Sequence, residues 1–238
     1  MKGIVSFVLA VALAAVGLWL STSLGALQIW MFGAGLIGLV GISAESFLER
    51  PSSFESPGLL VVAGLWLTQV TPAESQMVVS GASAFLMAAL LLGLKASMQP
   101  DGQHHRVGRF VASLILYLVT FVLFALIYHT KERSLVTATA TGLVALLASL
   151  EMLRFGKGKQ SFGWRLAALA GLVVAETTWA LNYWPVSGLV GGALLLLTFY
   201  VFTGLLVAIR EGGLERRLLL EYGAVGMAGF LAIAWAVI

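Results

Sequence analysis

Residues 110–128 read FVASLILYLVTFVLFALIY, from Phe110 to Tyr128, and the run holds no charged residue. A helix of that length is about 28 Å long at 1.5 Å per residue, close to the ~30 Å of a bilayer's hydrocarbon core. The run is apolar on every side. A barrel strand would be about half as long and would alternate polar with apolar positions, so a transmembrane helix is the reading that fits. Arg109 closes one end, and His129, Lys131, Glu132 and Arg133 close the other.

The same pattern recurs on both sides. Before it stand Ile4–Leu20, Leu27–Ile42, Gly58–Val70 and Met77–Leu94, and after it Leu135–Met152, Leu166–Tyr183, Leu189–Ile209 and Leu218–Ile238. The third of the nine segments lies between Pro57 and Pro72 and is shorter than the ~17 residues that a straight span needs. It predicts a short tilted or re-entrant piece. Thr71-Pro72-Ala73-Glu74 has the spacing of a capping box with proline at the first helical position, which places the next helix start there. Ser43–Ser56 predicts a short cytoplasmic surface connection. The run after Met1-Lys2-Gly3 is longer than most signal-peptide cores and a second span follows at once, which favours an uncleaved first helix over a signal peptide.

Composition leads to the same solvent. Apolar residues make up 60% of the chain and charged residues 11%, against about 25% charged in soluble domains. In hydrocarbon every backbone N–H and C=O must be paired inside the protein, which long helices do by themselves. The expected fold is therefore all-α: a polytopic transmembrane helical bundle of about nine helices. It is one integral membrane domain over 1–238, with helices one to four in 1–95 and five to nine in 108–238, and no soluble domain. There is no cysteine, so disulfides, iron–sulfur clusters and thiolate metal sites are excluded.

Basic residues set the expected orientation. One side of the nine-span arrangement receives Lys2, Arg50, Lys95, Arg106, Arg109, Arg154, Lys157, Lys159, Arg165, Arg210, Arg216 and Arg217. The other receives Lys131 and Arg133, so the division is 12 against 2 of the 14. Basic loops stay in the cytoplasm, which puts the N-terminus inside and the C-terminus outside. If the third segment did not cross, the division would fall to 10 against 4. The formal charge of +3 thus comes mostly from short juxtamembrane loops and is no nucleic-acid footprint. Small residues at helix-packing spacing, Gly35, Gly38 and Gly41, then Gly188 and Gly192, then Gly223, Gly226 and Gly229, predict close helix contacts.

One side chain breaks the membrane pattern. Glu176 lies eleven residues beyond Arg165, about 16 Å along a helix axis and near mid-depth. A charge there costs about 2.5–3.5 kcal/mol on insertion scales and marks a candidate functional site. No Lys, Arg or His falls at that depth, but the hydroxyls of Tyr117, Thr120, Thr198 and Tyr200 do, and Thr177 and Thr178 are adjacent. The expectation is a neutral acid hydrogen-bonded to these groups, as interhelical glue or as a proton or cation site. Glu221 near Arg217 predicts an interfacial pair, and Glu151 with Arg154 the same. His104 and His105 fall in a polar loop and His129 beside outer-loop charges, so no metal site is assigned. No intramembrane histidine pair suits a haem, no late-helix lysine suits a retinal, and no P-loop, zincin or serine–histidine pattern supports an enzyme. The cofactor is left undetermined.

The stretch Glu176-Thr177-Thr178-Trp179-Ala180-Leu181-Asn182-Tyr183-Trp184-Pro185, followed by Tyr200, Gly204, Gly213-Leu214 and Leu220-Glu221-Tyr222, resembles a family of uncharacterised polytopic bacterial membrane proteins. That family, a domain of unknown function, carries a Glu-x-x-Trp-x-Leu-x-aromatic-Trp-Pro stretch, and the resemblance covers about Arg165 to Gly226. It implies a bacterial cytoplasmic membrane and no known activity or cofactor. Two functions stay open. One is a non-catalytic membrane subunit or assembly protein, with a membrane-protein partner or a second copy beside the lipid bilayer. The other is a small proton- or cation-coupled transporter using Glu176.

Overall fold

A computed structural model describes residues 2–49, 54–99, 103–130, 132–154, 163–211, 213 and 216–237. Among the described residues there are nine α-helices and no strand: α1 Lys2–Ser21, α2 Ala26–Leu48, α3 Glu55–Val70, α4 Ala73–Ser97, α5 Gln103–Thr130, α6 Ser134–Arg154, α7 Gly163–Leu181, α8 Gly188–Glu211 and α9 Arg216–Val237. All but α3 and α7 are long and apolar enough to cross a membrane. The fold is an all-α bundle. Arg50, Lys131, Lys157, Lys159 and Ile238 lie outside the described residues.

Several helix ends differ from expectation, each for a local reason. α2 runs on through the expected connection to Leu48, because Ala44, Phe47 and Leu48 share one buried face. Phe47 packs on Phe7 with ring centroids 5.1 Å apart. Lys95 Nζ sits 4.1 Å above the same ring and donates to the Phe47 carbonyl at 3.2 Å. The helix stops at Glu49, whose φ of 53° is left-handed, a common way to end a helix. The capping box at Thr71 does not form: Pro72 is itself the N-cap, and the Thr71 hydroxyl donates back to the Leu67 carbonyl. His104 and His105 belong to the first turn of α5, not to a loop. α7 ends at Leu181, and Asn182–Trp184 turn before Pro185.

The chain forms two compact units, Met1–Leu116 and Tyr117–Ile238, whose boundary falls inside α5. In the first, α1 packs on α2, α3 and α4. Ala10, Ala14, Leu18, Val40, Val61, Met87 and Leu91 are fully buried at its centre. Glycines let the helices close up. A Cβ on Gly17 would fall 2.5 Å from Leu36, and one on Gly64 2.7 Å from Leu18. Gly93 and Gly108 face each other across α4 and α5 at backbone contact. Gly35 and Gly38 face open space, so α2 uses Gly33 and Gly41 for packing instead.

In the second unit the closest pair is α6 with α7. Gly142 and Gly171 meet back to back, and Thr141 and Thr178 join their hydroxyls at 2.7 Å. Gly188 and Gly192 admit the Ala125–His129 stretch of α5. Gly226 and Gly229 of α9 rest on Val201 and Leu197 of α8, whereas Gly223 meets nothing. Small residues at these crossings allow the dispersion contact that drives helix association in lipid, where burial of apolar area gives no driving force.

Candidate functional site

The residues facing inward on α7 are small or apolar: Ala167, Ala170, Gly171, Val174, Thr178 and Leu181 are buried against its neighbours. Glu176 is two residues from Thr178, about 200° round the helix at 100° per residue, and it points away from that packed face. It is exposed, on the same side as Leu169, Leu172, Trp179 and Tyr183. Trp179 Nε1 donates to the Tyr183 hydroxyl at 3.3 Å. Among the described residues, none gives Glu176 a hydrogen bond or an ion pair.

The hydroxyls expected around the acid do not bond to it. Thr177 donates to Val173 O at 2.8 Å, Thr178 to Val174 O at 2.8 Å and Thr198 to Leu194 O at 3.0 Å, each closing onto its own helix one turn back. Thr177 and Thr198 do come together as walls of a cavity of ≈ 290 Å³ between α7, α8 and α9, with Trp184 and Phe230. Thr120 is fully buried, and its hydroxyl has no partner among the described residues.

Tyr117 and Tyr200 belong to a separate aromatic cluster. Their ring centroids are 5.5 Å apart, Tyr200 lies 5.8 Å from Tyr222, and Phe199 stands edge-on to Tyr117 at 6.0 Å. Gly204 makes the arrangement possible, since a Cβ there would fall 2.3 Å from the Tyr222 ring. Edge-to-face and tilted rings at these separations add about 0.5–1.5 kcal/mol per pair beyond their burial. The cluster ties α5, α8 and α9 together. Tyr222 reads singly as an ordinary membrane residue and enters the sequence reading only through the family resemblance.

Two further sets of polar groups lie at the ends of this unit. At one end Glu151, 1% exposed, takes Arg154 Nη1 at 3.1 Å, and Arg210 Nη1 donates to the Leu153 carbonyl. The three side chains gather the ends of α6 and α8 beside Gly163 of α7. Glu151 is thus buried in the bundle and is not an interfacial group reaching for water. At the other end Tyr128, Glu132, Arg133, Ser134, Asn182 and Trp184 line a cavity of ≈ 350 Å³. On α9, Arg217 Nε donates to Glu221 Oε1 at 2.9 Å, with both side chains exposed. No set of three or more His, Asp or Glu suited to a metal occurs among the described residues.

Seven long apolar helices in an all-α bundle, with charges gathered at helix ends, define a multi-pass membrane protein. Residues 3–236 match the family described as "Protein of unknown function (DUF5656)", and the chain belongs to that family. The match extends well beyond the Arg165–Gly226 stretch that carries the sequence resemblance. No curated protein and no solved structure matches the chain.

Proposed function

We propose that this protein is a non-catalytic subunit of the bacterial cytoplasmic membrane, and that the exposed face of α7 around Glu176 receives a helix of a different membrane protein. One observation carries the reading. Glu176 is the fourteenth residue of a nineteen-residue helix, exposed, with no partner in the described chain. Left against lipid, its carboxylate would cost about 2.5–3.5 kcal/mol. A partner helix with a Lys, Arg or amide donor at matching depth removes that cost and gains a charge-assisted hydrogen bond. A second copy brings no such cation, since the chain places its basic residues at helix ends and in loops. The 12-to-2 division of basic residues supports a cytoplasmic N-terminus and an external C-terminus.

A photo-crosslinker in place of Leu172 tests the reading in native membranes. The expected adduct is to a membrane protein with a polar donor inside a span, and Glu176→Leu abolishes it. Adducts to lipid alone, or adducts indifferent to Glu176→Leu, overturn it. Proteoliposomes holding the purified protein give the competing outcome: pH-gradient-driven flux that Glu176→Gln removes would make Glu176 a transport group.

A further inference from the structure

Glu176 is not among the walls of the second polar cavity. That cavity is formed by the last turn of α5, the residues leading into α6 and the turn that follows α7, with a volume of ≈ 350 Å³. That is room for about ten waters at ~30 Å³ each and sits at the lower end of small-molecule sites. Asn182 lines the cavity, and its amide nitrogen is buried with no acceptor among the described residues. A buried donor in this state is destabilising until an acceptor arrives. Glu132 and Arg133 are exposed at the same cavity, and no hydrogen bond or ion pair within the described residues takes up either charged group. The backbone that carries them is held in place: Thr137 Oγ1 contacts the Glu132 and Arg133 carbonyls at 3.3 and 3.4 Å. Tyr128 is a fixed wall, its hydroxyl donating to Leu181 O at 2.6 Å.

We propose that this cavity binds a phosphate that carries an ammonium group, as in a phosphoethanolamine headgroup. Asn182 Nδ2 and Arg133 donate to the phosphate, and Glu132 takes the ammonium. The charge pattern makes the selection. A plain anion would meet the Glu132 carboxylate, and a plain cation would meet the Arg133 guanidinium and leave the Asn182 donor unused. A phosphate with a primary ammonium satisfies all three, because its N–H groups donate to Glu132, whereas a quaternary ammonium brings the charge without a donor. Trp184 and Tyr183 are exposed beside it, and such rings favour the membrane–water interface where lipid headgroups lie.

Native mass spectrometry of the full-length protein, titrated with phosphatidylethanolamine, phosphatidylcholine or phosphatidylglycerol, tests the site. Phosphatidylethanolamine is expected to be held about tenfold more tightly than the other two. Arg133→Gln and Asn182→Leu each reduce its retention about tenfold, while the unfolding midpoint of lipid-free Asn182→Leu stays at or above the wild-type value. Asn182→Asp loses at least as much as Asn182→Leu, because an acceptor replaces the donor. Glu132→Gln removes the preference over phosphatidylglycerol. Displacement by soluble glycerophosphoethanolamine identifies the free headgroup as sufficient, and failure to displace identifies the intact lipid as the ligand. Equal retention of the three lipids overturns the proposal. So does phosphatidylethanolamine retention unchanged in Arg133→Gln and Asn182→Leu, or retained in full by Asn182→Asp.

Discussion

Glu151 and Glu176 are carboxylates on adjacent helices of one unit, and their surroundings are opposite. Glu151 lies near the end of α6, where sequence alone suggests contact with water, yet it is 1% exposed and paired with Arg154 at 3.1 Å. Glu176 lies deep in α7, where sequence suggests enclosure among hydroxyls, yet it is exposed and has no partner in the described chain. Depth along the membrane normal and burial inside the bundle are independent coordinates. A carboxylate is costly to the chain only where neither water nor a partner reaches it, and Glu151 escapes that condition through Arg154.

The largest expected effect is at Glu151. Glu151→Leu takes the carboxylate at 3.1 Å from the Arg154 guanidinium, whose side chain is only 15% exposed, and should lower stability by about 3 kcal/mol. Denaturant titration in mild detergent, followed by helical circular dichroism, measures it. The double change Glu151→Leu with Arg154→Leu should recover most of the loss, because removing both charges is far cheaper than removing one. A double change as damaging as the single would show that packing, not charge, makes Glu151 matter.

Next comes the glycine contrast. Gly171→Ala forces a Cβ to 2.7 Å from the Gly142 carbonyl oxygen and should cost about 1–3 kcal/mol as α6 and α7 separate. Gly35→Ala meets nothing within 4 Å and should be neutral or gain about 0.5–1 kcal/mol of helix propensity. The same titration reads both. A large loss at Gly35 would mean that its open face is covered in the folded protein.

That contrast marks where the sequence is legible. The nine apolar runs identify the nine helices because length and the absence of charge report the solvent directly. Which way each helix faces is not legible from apolar periodicity, since lipid is as apolar as the bundle interior and Leu172 outside α7 is chemically like Leu166 inside it. The usable signal is residue size. Gly163, Ala167, Ala170, Gly171 and Thr178 trace the buried face of α7, and reading that stripe would have placed Glu176 on the opposite side. Size fails on α2, where Gly35 and Gly38 share the spacing of Gly41 but only Gly41 meets a neighbour, Phe54. The Thr71 capping box and the expected bonds from Thr177 and Thr198 to Glu176 fail for one shared reason. A threonine in or beside a helix has a carbonyl one turn back as an acceptor that needs no tertiary contact, and Thr71, Thr177 and Thr198 all take it.

A smaller effect is expected at Thr178→Val. It removes the 2.7 Å bond to Thr141 and should cost about 0.6 kcal/mol, the average for a hydrogen bond between membrane helices. Thr141→Val should match it, and the double change should cost no more than either alone.

The smallest effect is expected at the residue that carries the functional argument. Glu176 makes no hydrogen bond or ion pair within the described chain, so Glu176→Leu should change the stability of the isolated protein by less than about 0.5 kcal/mol, as ordinary surface substitutions do. The same substitution should abolish crosslinking from position 172 in native membranes. Both outcomes are needed. A loss above about 1 kcal/mol in the purified protein would reveal an internal partner for the carboxyl, and Glu176 would then join Glu151 as a structural acid. A silent substitution in isolation, with loss of the crosslink in the membrane, separates a group kept for a partner from one kept for the fold.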